Sequence, residues 1–272
     1  MNFKDKIKKI ILLFITLTLF TILLYSIINI INWKLDSNKI DKQVDKINKD
    51  TTVIKVKDNK DTVIINETNN IPKSNPYWDY IKMDMIDVNF DELKTINKDV
   101  KGWIKLNGTN INYPFVQSDN NKYYLTHSFD KEKNSAGWVF LDYRNNGINN
   151  KNTIIYAHGR TDKTMFGSLK DVLSEKWQSN SNNYIIKIST ETENTLWQIF
   201  SAYRIPTTSD YLQTTFSNDD EYQKFLDMIL KRSSYNFNSF VNVDDNIITL
   251  STCYNDNDKI VVHAKLIKEM KK

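Results

Sequence analysis

The longest apolar stretch of the chain lies near its N-terminus. Residues 10–31, IILLFITLTLFTILLYSIINII, contain no charged side chain, and Asn29 is their one strongly polar member. A stretch of this length can cross the hydrocarbon core of a bilayer as an α-helix. The preceding residues 1–9 are rich in lysine, and basic flanks of this kind stay on the cytoplasmic side. The pattern therefore predicts a cytoplasmic tail at 1–9 and a transmembrane anchor at 10–31.

Two alternatives to an anchor remain, a cleaved secretory signal and a buried core helix. A secretory signal has a shorter apolar core and a cleavage site of small residues, whereas NWKLDSNK follows directly here. An uncleaved, single-pass anchor places everything after residue 31 outside the cell. The predicted localisation is therefore the cell membrane, with an extracellular domain.

Residues 32–76 are rich in Lys, Asp, Asn and Thr and poor in aromatic residues. This composition is typical of a spacer between a membrane and a domain. Two β-like runs within it, TTVIKVK and DTVIIN, leave open the alternative of an extra hairpin. The aromatic density rises from Tyr77 onward, so we predict one domain over 77–272.

Short runs of β-branched and aromatic residues, separated by turn-forming residues, dominate this domain. They predict eight strands: GWIKL, INYPFV, GWVFLD, NTIIYAH, NYIIKIS, TLWQIFSAYR, NIITLST and KIVVHAKLI. Two helices are predicted, one after an Asn89 cap in NFDELKTINKDV and one in SNDDEYQKFLDMILKRSS between the sixth and seventh strands. Eight strands with few helices favour a mainly β, closed or nearly closed barrel over a parallel α/β sheet.

Composition excludes several classes of function. Most of the formal net charge of +4 comes from residues 1–9, and the later charges alternate in sign, so no nucleic-acid partner is predicted. The six glycines are scattered and form no phosphate loop. Apart from the acidic run NDND, which can be a simple turn, no compact set of oxygen ligands is present. We therefore predict no cofactor and no metal.

The single cysteine, Cys253, cannot form an internal disulfide. A free thiol outside the cell is exposed to oxidation, so its presence indicates a use, although a small buried side chain is the alternative. A nucleophilic thiol needs a base, and His158 lies where NTIIYAH ends and a loop begins. His127 sits among aromatic residues, and His263 lies within a strand; both fit structural roles better.

A hairpin of the last two strands, NIITLSTC and KIVVHAKL, would place Cys253 and Lys259 directly opposite each other. Their Cβ atoms would then lie about 5 Å apart on one face of the sheet. The ammonium group could lower the thiol pKa or stabilise negative charge on a substrate oxygen. The alternative is that Lys259 is an ordinary solvated residue of the hairpin.

These residues resemble those of the sortases, specifically class B. TLSTC, from Thr249 to Cys253, resembles the TLxTC signature, and NTIIYAHGRTDKTMFGSLKD resembles the segment with the family's catalytic histidine. The likeness extends over NKDVKGWIKLNGTNINYPFVQSDNNKYYLTHSFD and GWVFLDYRNN. The resemblance implies a transmembrane helix followed by an eight-stranded sortase-type β-barrel, with an N-terminal helix and a helix between strands 6 and 7.

The resemblance also implies a cysteine transpeptidase of the Gram-positive cell surface. Cys253 attacks the C-terminal sorting signal of a secreted protein, and an amine of the cell-wall peptide resolves the thioacyl enzyme. His158 protonates the leaving amine and deprotonates the incoming one. The implied partners are a sorting-signal peptide, a cell-wall precursor or peptidoglycan amine, and the membrane.

Further positions resemble the groove that holds the sorting signal. By motif position they are Asn121, Leu125, Thr207, Tyr211, Leu212 and Ser251. Three of them, Leu125, Tyr211 and Leu212, fit a role in the core equally well. The sorting motif, the client proteins, the acceptor amine and the oligomeric state do not follow from the sequence.

The chain departs from the family at its third catalytic position, where the family's arginine is replaced by Lys259. A guanidinium is a planar fork of donors, whereas an ammonium is a flexible point charge. Three outcomes fit this exchange. Lys259 replaces the arginine adequately, another arginine such as Arg160 or Arg144 reaches the site, or the enzyme is slow. We favour the first. The alternative functions are a surface cysteine protease and a catalytically weak module that binds sorting signals.

Overall fold

The computed structural model of the chain describes residues 3–65, 71–253 and 257–272, with Cys253 described by its backbone alone. The turn predicted within YNDND lies largely outside these residues, as do the start of the predicted tail and residues 66–70 of the predicted spacer. The helices are α1 (Phe3–Asp50), α2 (Tyr77–Tyr80), α3 (Asp91–Ile96), α4 (Glu175–Gln178) and α5 (Asp219–Arg232). Single 3-10 turns lie at Tyr123–Leu125, Leu169–Leu173, Ser181–Tyr184 and Asp210–Leu212.

Most of the strands coincide with runs of β-branched and aromatic residues. The strands are β1 (Val53–Val56), β2 (Thr62–Ile64), β3 (Met85–Val88), β4 (Val100–Leu106), β5 (Asn112–Val116), β6 (Phe140–Leu141), β7 (Asn152–Tyr156), β8 (Ile185–Ser189), β9 (Glu193–Pro206), β10 (Ile247–Cys253) and β11 (Asp258–Lys271). The eight predicted runs correspond to β4 through β11. The sequence-based assignment of these strands is therefore confirmed.

The eight strands close into a barrel. Their hydrogen-bonded order is β10-β7-β6-β5-β4-β8-β9-β11, and β10 also pairs with β11, which closes the ring. β2 adds to the outside edge of β11. Closure pairs the strand edges with one another and so removes edges that would otherwise be open to a second chain. The predicted β-barrel is confirmed.

Apolar side chains form two clusters, one inside the barrel and one under α5. Alternate residues of β11, such as Ile260 and Val262, belong to the interior cluster, whereas Val261 belongs to the second. In the second cluster Tyr222 and Leu226 of α5 are buried against the outer face of the barrel. The α5 helix begins at an Asn218 cap, whose side chain accepts a hydrogen bond from the Glu221 backbone.

The predicted helix near residue 90 is present but begins differently from the prediction. Phe90 is the N-cap of α3, in place of Asn89. The Asn89 side chain instead accepts a hydrogen bond from the Asp91 backbone at 2.9 Å, which is a turn-type contact just before the helix. The asparagine thus marks the start of the helix, one residue earlier than its actual cap.

The region between the apolar run and residue 77 contains regular structure. α1 continues beyond residue 31 to Asp50, and three of its later residues, Ser37, Ile40 and Ile47, are buried. The two β-like runs do not pair as a hairpin: β1 pairs with β3, and β2 pairs with β11. The predicted spacer therefore makes extensive contacts with the predicted domain.

Candidate active site

The ends of three neighbouring strands bring the predicted catalytic residues to one edge of the barrel. β7 and β10 are parallel, and Ser251 pairs with Tyr156. Two positions further along these chains are Cys253 and His158, so both lie at the same edge. β10 and β11 are antiparallel, and Cys253 pairs with Lys259. The register predicted for this hairpin is confirmed.

A cavity of about 590 Å³ opens beside this edge. It is lined by His158, Lys259 and the six predicted groove residues, Asn121, Leu125, Thr207, Tyr211, Leu212 and Ser251. Six further residues that the sequence reasoning missed also line it: Phe140, Tyr156, Ala157, Thr208, Ser209 and Thr252. Most of these are chain neighbours of predicted residues, which is the signal that could have found them.

A hydrogen bond to the backbone orients the His158 ring. Its Nε2 atom lies 2.7 Å from the carbonyl oxygen of Leu125. Because a carbonyl oxygen only accepts hydrogen bonds, this contact requires the proton to be on Nε2. Nδ1 is therefore the nitrogen that can take up and release a proton, as a general acid and base must.

The Leu125 carbonyl is fixed by a close approach of the backbone at Gly137. A Cβ atom at position 137 would lie 2.4 Å from the Tyr124 oxygen and 2.9 Å from the Leu125 oxygen. Gly137 also has a φ of 59°, a conformation that favours glycine. Gly137 therefore lets the backbone pack directly against Leu125, whose carbonyl accepts the His158 hydrogen bond.

Two hydroxyl groups that line the cavity are hydrogen-bonded to each other. The Tyr211 hydroxyl lies 2.9 Å from the Ser251 hydroxyl, and both residues are buried. Tyr211 also belongs to the cluster under α5, so it packs in the core and lines the cavity at once. Thr207 bonds through its amide and its hydroxyl to the Asn257 carbonyl, at 2.7 and 3.0 Å. This contact joins Thr207, which lines the cavity, to the segment that precedes Lys259.

One buried carboxylate, Asp142, links three walls of the cavity. It accepts hydrogen bonds from Asn121 at 3.0 Å and from the Tyr156 hydroxyl at 2.9 Å. It also accepts two from the Arg144 guanidinium, at 2.9 and 2.7 Å, and the same guanidinium donates to the Leu212 carbonyl at 2.9 Å. The sequence reasoning did not identify Asp142 as part of the site.

Asp142 remains charged in this setting. Burial by itself would raise the pKa of its carboxyl, but the hydrogen bonds from Arg144, Tyr156 and Asn121 outweigh burial and lower that pKa. Burial, and after it the same carboxylate, raises the pKa of the Tyr156 hydroxyl. The charge thus stabilises a neutral phenol and a guanidinium around it.

Among the described residues, Lys259 is the one lysine or arginine that lines the cavity. Arg144 stands behind the cavity wall, where its guanidinium is occupied by Asp142 and Leu212. Arg160 is buried, and it bonds to Asp162 and to Ser37 of α1. Of the cations considered from the sequence, Lys259 is therefore the one in position to face a substrate.

The other two histidines have structural surroundings. His127 bonds to the Tyr123 carbonyl at 2.8 Å and stacks on its ring at 4.1 Å between centroids. His263 is fully buried between the hydroxyls of Tyr203 and Thr249, each 2.8 Å from a ring nitrogen. Within the described part of the chain, no three His, Cys, Asp or Glu residues form a group that could hold a metal ion.

Comparisons with known proteins agree with this geometry. The model of the sortase domain matches residues 104–267, more than half of the chain. Sortase B of Staphylococcus aureus is 43% identical over 184 residues, which cover 66% of this chain and 75% of the relative. Sortase B of Listeria monocytogenes is 35% identical over 190 residues, which cover 65% and 73%.

The chain belongs to the sortase family. Its fold matches that of a Staphylococcus aureus sortase B–substrate complex with a TM-score of 0.61 and 42% identity, over 66% of this chain and 84% of that one. A Bacillus anthracis sortase B matches with a TM-score of 0.61 and 38% identity, over 71% and 92%. These relatives are of class B, and this sortase is accordingly a cysteine transpeptidase that cleaves sorting signals.

The N-terminal helix of this sortase is a candidate membrane anchor. Among the described residues, α1 is the one helix that is long and apolar enough to cross a membrane, with a mean hydropathy of 2.6 in its most apolar window. None of that window is buried in the protein. Large exposed apolar side chains along it, such as Leu17 and Phe20, fit a lipid environment.

Proposed function

We propose that Cys253, His158 and Lys259 carry out the transpeptidation. The Cys253 sulfur attacks the carbonyl carbon of the scissile peptide bond in the sorting signal. The Lys259 ammonium stabilises the oxyanion of the tetrahedral intermediate. His158 gives its proton to the leaving amine, the C–N bond breaks, and a thioester on Cys253 remains.

The second half of the reaction uses the same groups in reverse. An amine of the cell wall attacks the thioester carbonyl while His158 takes up its proton. The C–S bond breaks, the thiolate returns, and a new amide joins the surface protein to the wall. His158 is restored to its protonated form, so the cycle needs no other acid or base.

The remaining groove residues bind the signal peptide in this proposal. Leu125, Thr207 and Leu212 lie along the wall of the cavity, and Tyr211 and Ser251 form its polar floor. Asn121 is oriented from both sides, since its amide donates to Asp142 and its carbonyl accepts from the Tyr143 backbone. An amide held in this way is suited to recognising a peptide backbone or a polar side chain.

The membrane topology belongs to the same proposal. Residues 10–31 of α1 cross the membrane, the lysine-rich tail is cytoplasmic, and the barrel is extracellular. This topology brings the site to the surface where secreted proteins emerge. It also gives the enzyme access to cell-wall precursors, which supply the amine.

The observation that carries the proposal is the convergence of three strand ends beside one cavity. The β7–β10 and β10–β11 registers bring His158, Cys253 and Lys259 to one edge, and His158 and Lys259 line the cavity with all six predicted groove residues. The arrangement supplies a nucleophile position, a base and a cation to the same space.

Product analysis tests the proposal against the protease alternative. The enzyme is incubated with a library of sortase-type signal peptides, with and without excess oligoglycine as the amine. A transpeptidase forms the new amide in proportion to the amine, and Cys253→Ala abolishes it. Release of the free acid alone, at a rate that the amine does not change, would contradict the transferase and favour a protease.

A further inference from the structure

Two consecutive residues of the membrane helix contact the two sides of the hydrogen bond that orients His158. That bond joins the His158 ring to the Leu125 carbonyl. Ser37 contacts the loop that follows His158, and Asp36 contacts the segment that packs on Leu125. Both contacts are made by side chains of α1, well beyond its apolar run.

Ser37 contacts the loop that follows His158 through two hydrogen bonds of its hydroxyl. The Arg160 guanidinium donates to the Ser37 hydroxyl, and this hydroxyl donates to the Asp162 carboxylate at 3.0 Å. Asp162 also accepts from Arg160 at 2.8 Å. The loop then closes on itself, because the Phe166 amide donates to the His158 carbonyl at 3.0 Å. Ser37 is therefore connected to the backbone of the histidine within a few bonds.

Two of the three side chains in this set of hydrogen bonds, Ser37 and Arg160, are buried. Ser37 is 2% exposed and Arg160 is 8% exposed. Burial opposes ionisation of Asp162, but hydrogen bonds from Arg160 and Thr164 lower the pKa of its carboxyl to about 2. The ring of Trp33, one turn earlier on α1, lies 5.4 Å from the Arg160 guanidinium. The Arg160 side of this ion pair is buried and the Asp162 side is partly exposed, so the pair holds a more defined geometry than a fully exposed contact does.

Asp36 holds the other side of the hydrogen bond. Its carboxylate accepts from the Ser135 amide at 3.0 Å and from the Ser135 hydroxyl at 2.6 Å. The neighbouring Asn134 amide donates to the Thr126 carbonyl at 2.9 Å, directly after Leu125. Asp36 thus fixes the short segment on which the acceptor of the histidine proton rests.

The helix is unbroken between the apolar run and these contacts. α1 is continuous from Phe3 to Asp50, and Ile40 and Ile47 are buried along the same face. Gln43 accepts a hydrogen bond from the Phe129 amide at 3.3 Å, between these two isoleucines. The docked half of the helix therefore packs along one face against the domain.

We propose that Asp36 and Ser37 are positioning residues for His158. By holding the loop after His158 and the segment beneath Leu125 at once, the docked helix fixes the distance across the Nε2 hydrogen bond. The part of α1 that follows the apolar run is in this way part of the catalytic unit. The inference rests on the proposed role of His158, and its test includes a readout that does not require turnover.

The test uses the full chain in phospholipid nanodiscs. Asp36→Ala, Ser37→Ala and the double variant are compared with Asp45→Ala, which changes an exposed aspartate further along the same helix. The kcat and KM for a signal peptide with excess amine are measured, as are the melting temperature and the 15N shifts of the histidine rings, with His158 assigned by His158→Gln.

A positioning role predicts a specific pattern. The double variant loses on the order of tenfold or more in kcat, because small misplacements of a catalytic group slow the reaction strongly. The KM stays near the wild-type value, the His158 ring shifts move, and Asp45→Ala behaves as wild type. Asp36→Asn and Ser37→Thr, which keep an acceptor and a hydroxyl, restore most of the rate.

Several results would overturn the inference. One is a folded double variant with the kcat and the His158 ring shifts of Asp45→Ala. Another is a loss of kcat that the lowered melting temperature accounts for, with unchanged ring shifts in the folded fraction. If the double variant does not fold, Asp36→Ala and Ser37→Ala are measured singly, and His158 ring shifts equal to those of Asp45→Ala in both variants would overturn the inference. Absence of turnover in the wild type contradicts the proposed function, whereas the ring shifts still decide the positioning role.

Discussion

The rim and the wall of the barrel use the same residue types in opposite ways. His158, at the rim, bonds through its ring to the Leu125 carbonyl and lines the cavity. His263, in the wall, is fully buried between two hydroxyls, and burial lowers its pKa to about 3, with a smaller contribution from Arg232. The first lies where a bound substrate would reach it, and the second is buried and stays neutral.

Two of the four lysines of β11 show the same contrast. Lys259, near the start of the strand, lines the cavity. Lys268, near its end, is fully buried, and its ammonium donates to the Asp58 carboxylate and to the carbonyls of Ile81 and Met83, at 2.6, 2.7 and 2.9 Å. Its three donors are thus all used within the protein. Surroundings, and not residue type, decide which lysine meets a substrate.

The strongest way to break this comparison is to exchange the rim histidine. His158→Gln keeps a similar size but removes the acid and base, so we expect kcat/KM to fall by about 10² to 10⁴. Peptide cleavage with excess amine measures the effect. His127→Gln is the matched control and should change little, because His127 contacts Tyr123 and not the cavity. Equal rates for the two variants would contradict the assignment.

The next test removes the cation at the cavity. Lys259→Ala removes the cation at the cavity, and we expect thioacyl formation to slow on the order of a hundredfold. Lys122→Ala, an exposed lysine next to Asn121, is the control. A faster Lys259→Arg would show that the lysine is a compromise at the family's arginine position. Unchanged acylation in Lys259→Ala would remove Lys259 from the mechanism.

The polar linkage behind the rim predicts a smaller effect. Asp142→Asn loses the charge that pairs with Arg144, and Arg144 is itself partly exposed, so we expect the free energy of unfolding to fall by about 1 to 3 kcal/mol. The KM for the signal peptide should rise, because Asn121, Tyr156 and Leu212 lose their common anchor.

Urea denaturation and peptide kinetics check this prediction. Asp119→Asn, at an exposed position of the loop that carries Asn121, serves as the control. A KM equal to that of the control would mean that the cavity walls keep their shape without the carboxylate. The linkage would then be a matter of stability alone.

The wall histidine predicts a pH effect on stability. The pKa of His263 is about 3 in the folded protein and 6.5 ordinarily, so below pH 6.5 the unfolded chain binds the proton first. The stability from the neutral ring is complete above pH 6.5 and is lost as the pH falls toward 3, by at most about 1.4 kcal/mol per pH unit. Urea midpoints at several pH values should therefore fall less steeply in His263→Gln. Parallel curves for the variant and the wild type would contradict a buried neutral ring.

The barrel could be predicted from the sequence because its strands are short runs of β-branched and aromatic residues between turn residues. The same local pattern, together with a short loop, was enough to place Lys259 opposite Cys253. Leu125, Tyr211 and Leu212 left two interpretations, and Tyr211 shows why: it is in the core and lines the cavity. A residue that lies between the core and the cavity fits the sequence pattern of a core residue and that of a groove residue equally well.

Long-range polar contacts could not be predicted. Asp142 joins residues that are distant in the chain, and no local pattern marks such a partner. The second half of α1 shows only two widely spaced buried isoleucines among polar residues, so its composition resembled that of a spacer. Its docking depends on Asp36 and Ser37, whose partners lie about a hundred residues further along.

The most direct test of the account is intact-protein mass spectrometry of the enzyme during turnover. The wild type is mixed with a signal peptide, the mass is followed, and an amine is then added. We expect an added mass equal to the acyl part of the peptide, located on Cys253, absent in Cys253→Ala, and transferred to the amine. Peptide binding without any adduct on Cys253, or an adduct on another residue, would contradict the central claim that the rim of this barrel is a thiol transpeptidase site.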